Sequence, residues 1–327
     1  MCKERDGRGV ALLCVVTTAV GWSSIPIFLR YFTGYLDAWT VNGIRYSVGA
    51  LFWLPYVLLM HRRTKGQAPP VPGRSVWRDA LVPLVPNVLG QVGYAISPYY
   101  LPASTIGFAL RLSFLFTIVF GLLVLAEERL LAHRPVFWFG VVASLGGVAL
   151  LFMGKLGDGS GASVVGMVIL VASTIAWGAY AVSVRHRMAP YPVRQSFGVI
   201  SLYTSVALVV LMLIFGNVGA LAEFTPRLWA FLIASALIGV AFGHVFYHRG
   251  IHRLGPVVAS GVLLVTPFLT YLGSAIFLKE SMTAMQLAGG VSVVVGGALL
   301  VRARAEVDST RDAAQMTRDA GRGTDDA

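Results

Sequence analysis

Charged residues are scarce in this 327-residue chain, and their scarcity excludes most soluble folds. Only 13% of the residues are charged, against about 25% in an ordinary soluble domain, and 56% are hydrophobic. Cysteine is also rare, since Cys2 and Cys14 are the only two. The sequence therefore predicts no disulfide framework, no metal-binding cysteine motif and no cofactor.

What the chain does contain is a series of apolar runs of about 20 residues, the length that crosses the hydrocarbon core as a helix. We predict an all-α integral membrane protein with ten transmembrane helices. Their expected limits are 9–31, 37–60, 80–100, 102–125, 135–153, 164–186, 194–216, 227–248, 255–278 and 285–302. The first run has no small-residue cleavage site, so it is predicted to be a retained helix rather than a signal peptide.

The Lys and Arg residues predict the orientation, because cytoplasmic loops retain positive charge. With the N-terminus inside, twenty basic residues fall in cytoplasmic segments and four outside, namely Arg30, Lys155, Arg227 and Lys279. Both termini are therefore predicted to be cytoplasmic, with the protein in the inner (plasma) membrane of a bacterium. The net charge of +11 is then an orientation signal rather than a sign of nucleic-acid binding.

An internal repeat divides the chain into two halves of five spans. The matching residues are Trp22 with Trp177 at an offset of 155, Gly90 with Gly243 and Tyr94 with Tyr247 at 153, and Gly146-Gly147 with Gly296-Gly297 at 150. Because five is odd, the second half is inverted relative to the first, a plan that recurs in secondary transporters. The predicted organisation is a cytoplasmic N-terminus at 1–8, repeats at 9–153 and 164–302, an external linker at 154–163, and a disordered cytoplasmic tail at 303–327.

Several short motifs are specific in their combined order and spacing. They are Trp22-Ser23-Ser24, Arg45-Tyr46, Thr266-Pro267-Phe268-Leu269-Thr270, Leu278-Lys279-Glu280 and the two Gly-Gly pairs. This series resembles the drug/metabolite transporter superfamily in its ten-helix, EamA-type form. The resemblance implies transport of amino acids, other small metabolites, nucleotide sugars or drugs. Phe114 stands where that family usually has a proline matching Pro267, so the sequence offers no matching kink in the fourth helix.

No predicted span interior contains Asp or Glu, yet two contain an arginine. Arg45 and Arg111 lie about eight or nine residues from the outer face, roughly 12–14 Å deep at 1.5 Å per residue. A buried cation is normally paired with a carboxylate or satisfied by carbonyls. We therefore expect Arg111, and in second place Arg45, to bind a carboxylate or phosphate of a small-molecule substrate. The alternative is a structural role at carbonyls freed near the prolines.

His244 is the only histidine well inside a span and the one conventional candidate for proton coupling, since no membrane carboxylate is available. A facilitator or a cargo-driven exchanger is an equal alternative. His248 and His252 follow at helical spacing, but nothing is placed to complete a metal site, so no metal is expected.

The remaining candidates are polar and aromatic residues of the span interiors. Cavity lining is predicted for Trp22, Ser23, Ser24, Asn42, Tyr46, Asn87, Gln91, Tyr94, Ser113, Trp177, Tyr180, Tyr247 and Thr266. Transporter sites commonly sit beside broken helices, and Pro26, Pro83, Pro86 and Pro267 mark the predicted kinks.

These features together favour a secondary transporter, a permease or exporter of a small metabolite, working by alternating access at a central cavity between the repeats. A multidrug or cation exporter of the same fold is the alternative. An integral-membrane enzyme is disfavoured, because the spans offer no carboxylate pair and no Ser or Cys with a base. No catalytic residue and no nucleic-acid partner are expected, and the oligomeric state is left open, a monomer being sufficient.

Overall fold

A computed structural model describes residues 2–64, 72–124, 126–156, 161–254 and 256–325, and these ranges are helical without a β-strand. The α-helices are α1 (Cys2–Phe32), α2 (Ala38–Thr64), α3 (Val76–Asp79), α4 (Leu81–Ile96), α5 (Ala103–Ala109), α6 (Leu112–Val124), α7 (Pro135–Leu156), α8 (Gly161–Met188), α9 (Val193–Phe215), α10 (Pro226–Ala236), α11 (Gly243–Leu254), α12 (Pro256–Leu263), α13 (Thr266–Phe277) and α14 (Ala284–Asp325). Short 3-10 helices cover Ser97–Tyr99, Ala126–His133 and Val218–Glu223, and a π-helical segment, Leu237–Phe242, joins α10 to α11.

Nine helical stretches of the described chain are long and apolar enough to cross a membrane. They are Gly9–Phe32, Ala38–Met60, Val76–Tyr99, Ala103–Val124, Pro135–Met153, Ser163–Met188, Val193–Phe215, Pro226–Tyr247 and Ala284–Val307. The ninth predicted span, 255–278, falls on α12 and α13, where the apolar helical stretch Gly261–Phe277 is shorter. The prediction of an all-α multi-pass membrane protein is confirmed, whereas the count of ten and the cytoplasmic termini stay predictions.

The outside of the bundle is apolar, as a lipid-facing surface requires. Leu51 and Leu123 are each 70% exposed and Phe277 is 75% exposed. Water would penalise so large an apolar surface, but acyl chains do not. The helices are therefore arranged for a bilayer, with their polar residues turned inward.

The C-terminal tail continues the last span as a helix. The structure describes α14 as far as Asp325, and the disorder predicted over 303–327 stays a prediction. The tail contains no proline before Asp325 and carries several Ala and Arg, which favour helix. Arg302 and Glu306 add an i,i+4 ion pair of 3.0 Å at the start of the extension.

The helix contacts of the two halves correspond. When each helix is replaced by its counterpart five spans away, the same kinds of helix pairs are in contact. In order along the chain, α2 belongs to the second predicted span and α9 to the seventh, and these two pack together, as do α7 and α14 of the fifth and tenth. The packing of α4 on α8 is matched by that of α11 on α1, and the packing of α6 on α8 by that of α13 on α1. Each contact thus has a counterpart five spans away.

Glycines set the close approach of α7 and α14. A Cβ on Gly147 would lie 2.6 Å from the carbonyl oxygen of Gly289, and one on Gly296 would lie 2.7 Å from that of Gly140. Gly146, the neighbour of Gly147, has no atom within 4 Å of its Cβ position. Small residues allow membrane helices to pack backbone to backbone, and one member of each Gly-Gly pair serves that purpose here.

Two helices break at matching places, although only one break has a proline. The chain turns at Leu110–Arg111 between α5 and α6, and again at Leu264–Val265 between α12 and α13, just before Pro267. At the first break, the Ser113 hydroxyl donates to the carbonyl of Leu110 at 2.7 Å. Such side-chain bonds compete with the helical ladder.

The equivalent bond occurs at the second break, where the Thr266 hydroxyl donates to the carbonyl of Leu263 at 2.7 Å. Ser113 and Thr266 are 153 residues apart, the offset of the repeat in this region. The two breaks therefore share a hydroxyl contact, whereas only the second has a proline.

The other prolines predicted to mark kinks, Pro26, Pro83 and Pro86, do not interrupt the helices that contain them. Helix α1 runs continuously through Pro26, and α4 runs through Pro86. Pro83 lies in the first turn of α4, just after the boundary with α3, where the missing amide of a proline is tolerated.

One end of the bundle, hereafter the capped end, is closed by loop contacts. Glu280 accepts hydrogen bonds from the backbone amides of Ala103 and Ser104 at 3.0 and 3.2 Å, at the start of α5. The Nε atom of Arg30, near the end of α1, lies 3.6 Å from the same carboxylate, and Arg30 also donates to the carbonyl of Pro98. One carboxylate thus joins the ends of α1, α5 and α13.

Asp37 adds a second closure at the capped end. Its carboxylate accepts from the backbone amide and the hydroxyl of Thr40 at 2.9 and 2.6 Å and from the amide of Asn217 at 2.8 Å. Burial acts to raise the pKa of this carboxyl, but the hydrogen bonds from Thr40 and Asn217 outweigh it, so the pKa lies below its usual value of 3.8.

Gly147→Ala is expected to lower the melting temperature of the purified protein, because the new methyl group meets backbone atoms of α14. Overpacking of this kind costs about 1–3 kcal/mol. Gly146→Ala is the matched control and should leave the melting temperature unchanged or slightly higher, since it only reduces backbone freedom. Thermal unfolding in detergent measures both, and an equal loss in the two variants contradicts the assigned contact.

Asp37→Asn should lower the melting temperature at pH 7, because an amide nitrogen cannot accept the hydrogen bonds that one carboxylate oxygen receives from the Thr40 hydroxyl and the Asn217 amide. Loss of hydrogen bonds to a charged group costs about 1–3 kcal/mol of stability. Because the folded pKa is depressed, the carboxylate stabilises the protein above pH 3.8, and this stabilisation is lost as the pH falls through the folded pKa. The gap between variant and wild type should therefore close in thermal unfolding series taken from pH 7 toward pH 3. A gap that widens on acidification contradicts the assignment.

Candidate functional site

A cavity of about 440 Å³ lies between the helices and is lined by most of the predicted site residues. Helices α1, α2, α4, α6, α8, α9, α11, α12 and α14, the two breaks and the π-helical segment contribute to its wall. The lining residues are Trp22, Ile25, Arg45, Tyr46, Asn87, Gln91, Tyr94, Leu110, Arg111, Ser113, Phe114, Thr117, Trp177, Tyr180, Ala181, Phe197, Ile200, Ser201, Gly239, Val240, His244, Tyr247, Leu263, Leu264, Gly297 and Val301. Its volume suits a small metabolite.

Both predicted arginines reach this cavity, together with most of the predicted polar and aromatic residues. The predicted residues in its wall are Trp22, Arg45, Tyr46, Asn87, Gln91, Tyr94, Arg111, Ser113, Trp177, Tyr180, His244 and Tyr247. None of the residues that line it is Asp or Glu. The wall therefore has two cationic side chains and no anionic one.

Four predicted site residues lie behind the wall instead. The Ser23 and Ser24 hydroxyls donate to carbonyls of their own helix, at Val20 and Gly21. Asn42 is buried and donates to the carbonyl of Gln91 at 3.0 Å, which ties α2 to α4.

The fourth is Thr266, which lies behind the wall at the second helix break and accepts a hydrogen bond from Nη2 of Arg111. Arg111 itself sits at the first break, so this bond bridges the two interrupted helices. The Nε atom of Arg111 is buried and has no hydrogen-bond partner among the described residues. The guanidinium is thus anchored at one corner and has donor capacity to spare.

Arg45 lines the cavity from α2, where its side chain packs against the π-helical segment. Arg45 is 3% exposed, and a Cβ on Gly239 would lie 2.9 Å from its Nη2 atom, so the guanidinium packs closely on this glycine. Its Nε atom is also buried without a partner in the described part of the chain. A one-turn π-helix inside an α-helix frequently marks a functional site.

Two tryptophan–tyrosine pairs stand in the cavity wall with almost the same geometry. The rings of Trp22 and Tyr247 are 5.3 Å apart at 55°, and those of Trp177 and Tyr94 are 5.2 Å apart at 58°. All four residues are members of the repeat, and each pair joins one helix of each half.

A glycine supports each of these tryptophans. A Cβ on Gly90 would lie 2.4 Å from the indole of Trp177, and one on Gly243 would lie 2.2 Å from the indole of Trp22. Each glycine precedes the tyrosine of the pair by four residues, one helical turn. The indole therefore packs on a helical turn that has no side chain at the glycine, with the tyrosine one turn away.

His244 lies next to the first of these pairs. Its ring is stacked on Phe197 at 4.4 Å and 28°, and is 5.1 Å from the ring of Trp22. The side chains of His248 and His252 lie outside the described residues, so their predicted position stays a prediction. No group of His, Cys, Asp and Glu able to hold a metal occurs among the residues that the structure describes.

Sequence reasoning missed several residues of the wall, chiefly Thr117, Phe197 and Ser201. Two of them carry a signal that the repeat could have supplied. Ser201 stands 155 residues after Tyr46 and Phe197 stands 155 after Asn42. Each therefore occupies the position of the second repeat that matches a predicted site residue of the first. The π-helical segment has no comparable signal in the sequence.

Comparison with known proteins decides the family. The model of the EamA-like transporter family matches residues 9–153 and again residues 164–302. The chain belongs to the EamA-like transporter family. It is therefore a multi-pass membrane transporter, and its family relationship points to transport rather than catalysis.

Two individual proteins are similar to this EamA-like transporter over most of its length. One is an uncharacterized transporter from Clostridium kluyveri, 23% identical over 287 residues, which cover 86% of this chain and 90% of that protein. The other is a protein of known crystal structure, 18% identical, with a TM-score of 0.58 over 90% of this chain and 97% of that one. The second likeness concerns the fold alone.

Arg111→Gln should leave the melting temperature of the substrate-free EamA-like transporter unchanged or raise it. Although the bond to Thr266 is weakened, a buried cation without a carboxylate partner is destabilising, and its removal offsets that loss. Arg30→Gln is the control and should lower the melting temperature, since Arg30 contacts Glu280 and Pro98. A large loss of stability for Arg111→Gln indicates a structural arginine instead.

Proposed function

We propose that this protein is a secondary transporter of the bacterial inner membrane that carries a small organic anion, with a carboxylate or phosphate bound at Arg111 in the central cavity. The observation that carries the proposal is the position of Arg111. It bridges the two helix breaks, lines the cavity and keeps a buried Nε without a partner. Arg45 reinforces the positive charge of the same cavity.

An anionic cargo neutralises positive charge that the cavity wall itself leaves unbalanced. A guanidinium that faces a cavity in a membrane needs a partner, and no cavity-lining residue is acidic. A carboxylate or phosphate can accept two parallel hydrogen bonds from the planar fork of an arginine. The cargo then supplies the counter-ion that the protein lacks.

Alternating access is the proposed mechanism, and the matched contacts of the two halves support it. Two inverted five-helix units, 9–153 and 164–302, can exchange conformations so that a central site opens to one side and then to the other. The contacts of Arg30, Asp37 and Glu280 keep the capped end closed in the present conformation. With both termini cytoplasmic, the capped end faces outward.

His244 is the proposed site of proton coupling, if transport is coupled to protons. It is the one imidazole in the cavity wall described by the structure, and it lies between Phe197 and Trp22. A facilitator or an exchanger needs no such group. Dependence of uptake on an imposed pH gradient, tested in wild type and in His244→Gln, distinguishes these mechanisms.

Counterflow in proteoliposomes tests the proposal. Liposomes are loaded in turn with each compound of a panel of carboxylates, phosphates, amino acids and lipophilic cations, and uptake of the same compound in labelled form is measured. The labelled anions should accumulate, and Arg111→Gln should reduce their uptake at least tenfold. The reduction reflects the loss of one charge-assisted contact, about 1.5–3 kcal/mol. Purified Arg111→Gln should also lose the thermal shift that the anion causes.

Arg227→Gln is the matched control, because Arg227 packs on the ring of Phe231 at 5.4 Å and lies outside the cavity wall. Its uptake should equal that of wild type. Accumulation of lipophilic cations alone, or full anion uptake by Arg111→Gln, refutes the anion site and favours a cation exporter of the same fold.

A further inference from the structure

The cavity wall contains a feature that an anion site alone does not require. Besides the two arginines, the wall carries eight aromatic rings of Phe, Tyr and Trp, namely Trp22, Tyr46, Tyr94, Phe114, Trp177, Tyr180, Phe197 and Tyr247. Four of these form the two matched pairs. An arginine can bind a carboxylate without aromatic neighbours, so these rings indicate a second chemical feature of the cargo that the cavity recognises.

The two pairs belong to different pairs of helices that line the cavity. Trp22 and Tyr247 belong to α1 and α11, which pack together, and Trp177 and Tyr94 belong to α8 and α4, which pack together. Trp22 and Trp177 are only partly buried, and both line the cavity. Each pair of helices thus contributes one indole to the cavity wall.

The positions of the indoles are set by backbone rather than by adjustable side chains. Trp22 lies against Gly243 and Trp177 against Gly90, and in each case any larger residue would displace the ring. Aromatic rings preorganised in this way favour a flat, polarisable partner, since ring pairs gain from offset or edge-to-face geometry beyond the area that they bury.

The charges of the wall restrict the cargo further. Tyr94 is a member of one aromatic pair and lines the same cavity as Arg45 and Arg111, so the ring site and the anion site share one cavity. The wall offers no carboxylate for an ammonium group, which would also face two guanidinium groups. A zwitterion is therefore a poorer partner for this wall than a simple anion.

We infer that the two pairs, Trp22–Tyr247 and Trp177–Tyr94, form an aromatic clamp, and that the cargo is an organic anion with an aromatic ring and no ammonium group. This inference rests on the proposed anion transport and names its substrate class. Arg111 binds the anionic group, and the two indoles hold the ring. The clamp joins the two halves of the protein, so the ring contacts both.

Three close analogues separate the elements of this inference. The dissociation constants of 3-phenylpropionate, 3-cyclohexylpropionate and L-phenylalanine are measured by titration calorimetry on the purified full-length protein. The first two differ in ring unsaturation, and the first and third in the α-ammonium group. 3-Phenylpropionate should bind about tenfold more tightly than either of the others, as expected for one or two aromatic contacts.

Trp22→Leu and Trp177→Leu should each reduce the preference for the phenyl over the cyclohexyl ring to less than threefold. Trp22→Phe and Trp177→Phe keep a ring on the same wall and should retain most of the preference. Trp39→Leu is the control, because Trp39 packs on Phe215 at 5.2 Å outside the cavity wall and its loss should leave the preference unchanged. The two phenylalanine variants protect the test against misfolding of the leucine variants.

The outcomes distinguish failure of the clamp from failure of the anion site. Equal affinity for the phenyl and cyclohexyl acids overturns the clamp while the anion site stands. Equal or tighter binding of L-phenylalanine overturns the exclusion of an ammonium group. Absence of binding by any carboxylate, together with absence of anion counterflow, overturns the proposed function and the clamp with it.

Discussion

The hydrogen bond from Arg111 to Thr266 is the interaction around which the central site is organised. It joins the break between α5 and α6 to the break between α12 and α13, and so connects the two halves at the place where each has lost its regular backbone bonds. Broken helices are tolerated in a membrane only where they are buried in protein or line a cavity. The two breaks lie beside such a cavity, and the bond between Arg111 and Thr266 places the guanidinium in its wall.

The residues that line the cavity include no Asp or Glu, and this makes the guanidinium of Arg111 available to an anionic cargo. In a soluble protein a partly satisfied arginine has water as a partner, but within a bilayer its charge must be balanced by something that enters the site. The carboxylates of this chain act elsewhere. Asp37 and Glu280 hold the capped end closed, which leaves the cations of the cavity for the cargo. The same separation of charge favours alternating access, because binding and closure use different residues.

Much of the fold follows from the sequence, because length, hydropathy and an internal repeat are coarse signals that survive without packing information. The spans, the repeat partners Trp22 and Trp177, and the two buried arginines are of this kind. The break at Leu110 does not follow from the sequence, because Pro267, which follows the corresponding break between α12 and α13, has no counterpart there.

The site is only partly predictable, for reasons of geometry. Residue type does not reveal whether a side chain lines the cavity, as Trp22 does, or bonds to its own helix backbone, as the neighbouring Ser23 does. The equal geometry of the two Trp–Tyr pairs depends on which glycines lie beneath the indoles, and that is a matter of helix contact. The π-helical segment beside Arg45 has no sequence signature at all.

The most direct test of the account is an experimental structure of the protein with a bromine-labelled carboxylate, in which the anomalous signal locates the ligand. The account predicts the carboxylate in the central cavity, at about 2.7–2.9 Å from the guanidinium nitrogens of Arg111. A carboxylate bound only outside the cavity, or a cavity that excludes it at concentrations that support transport, would contradict the account.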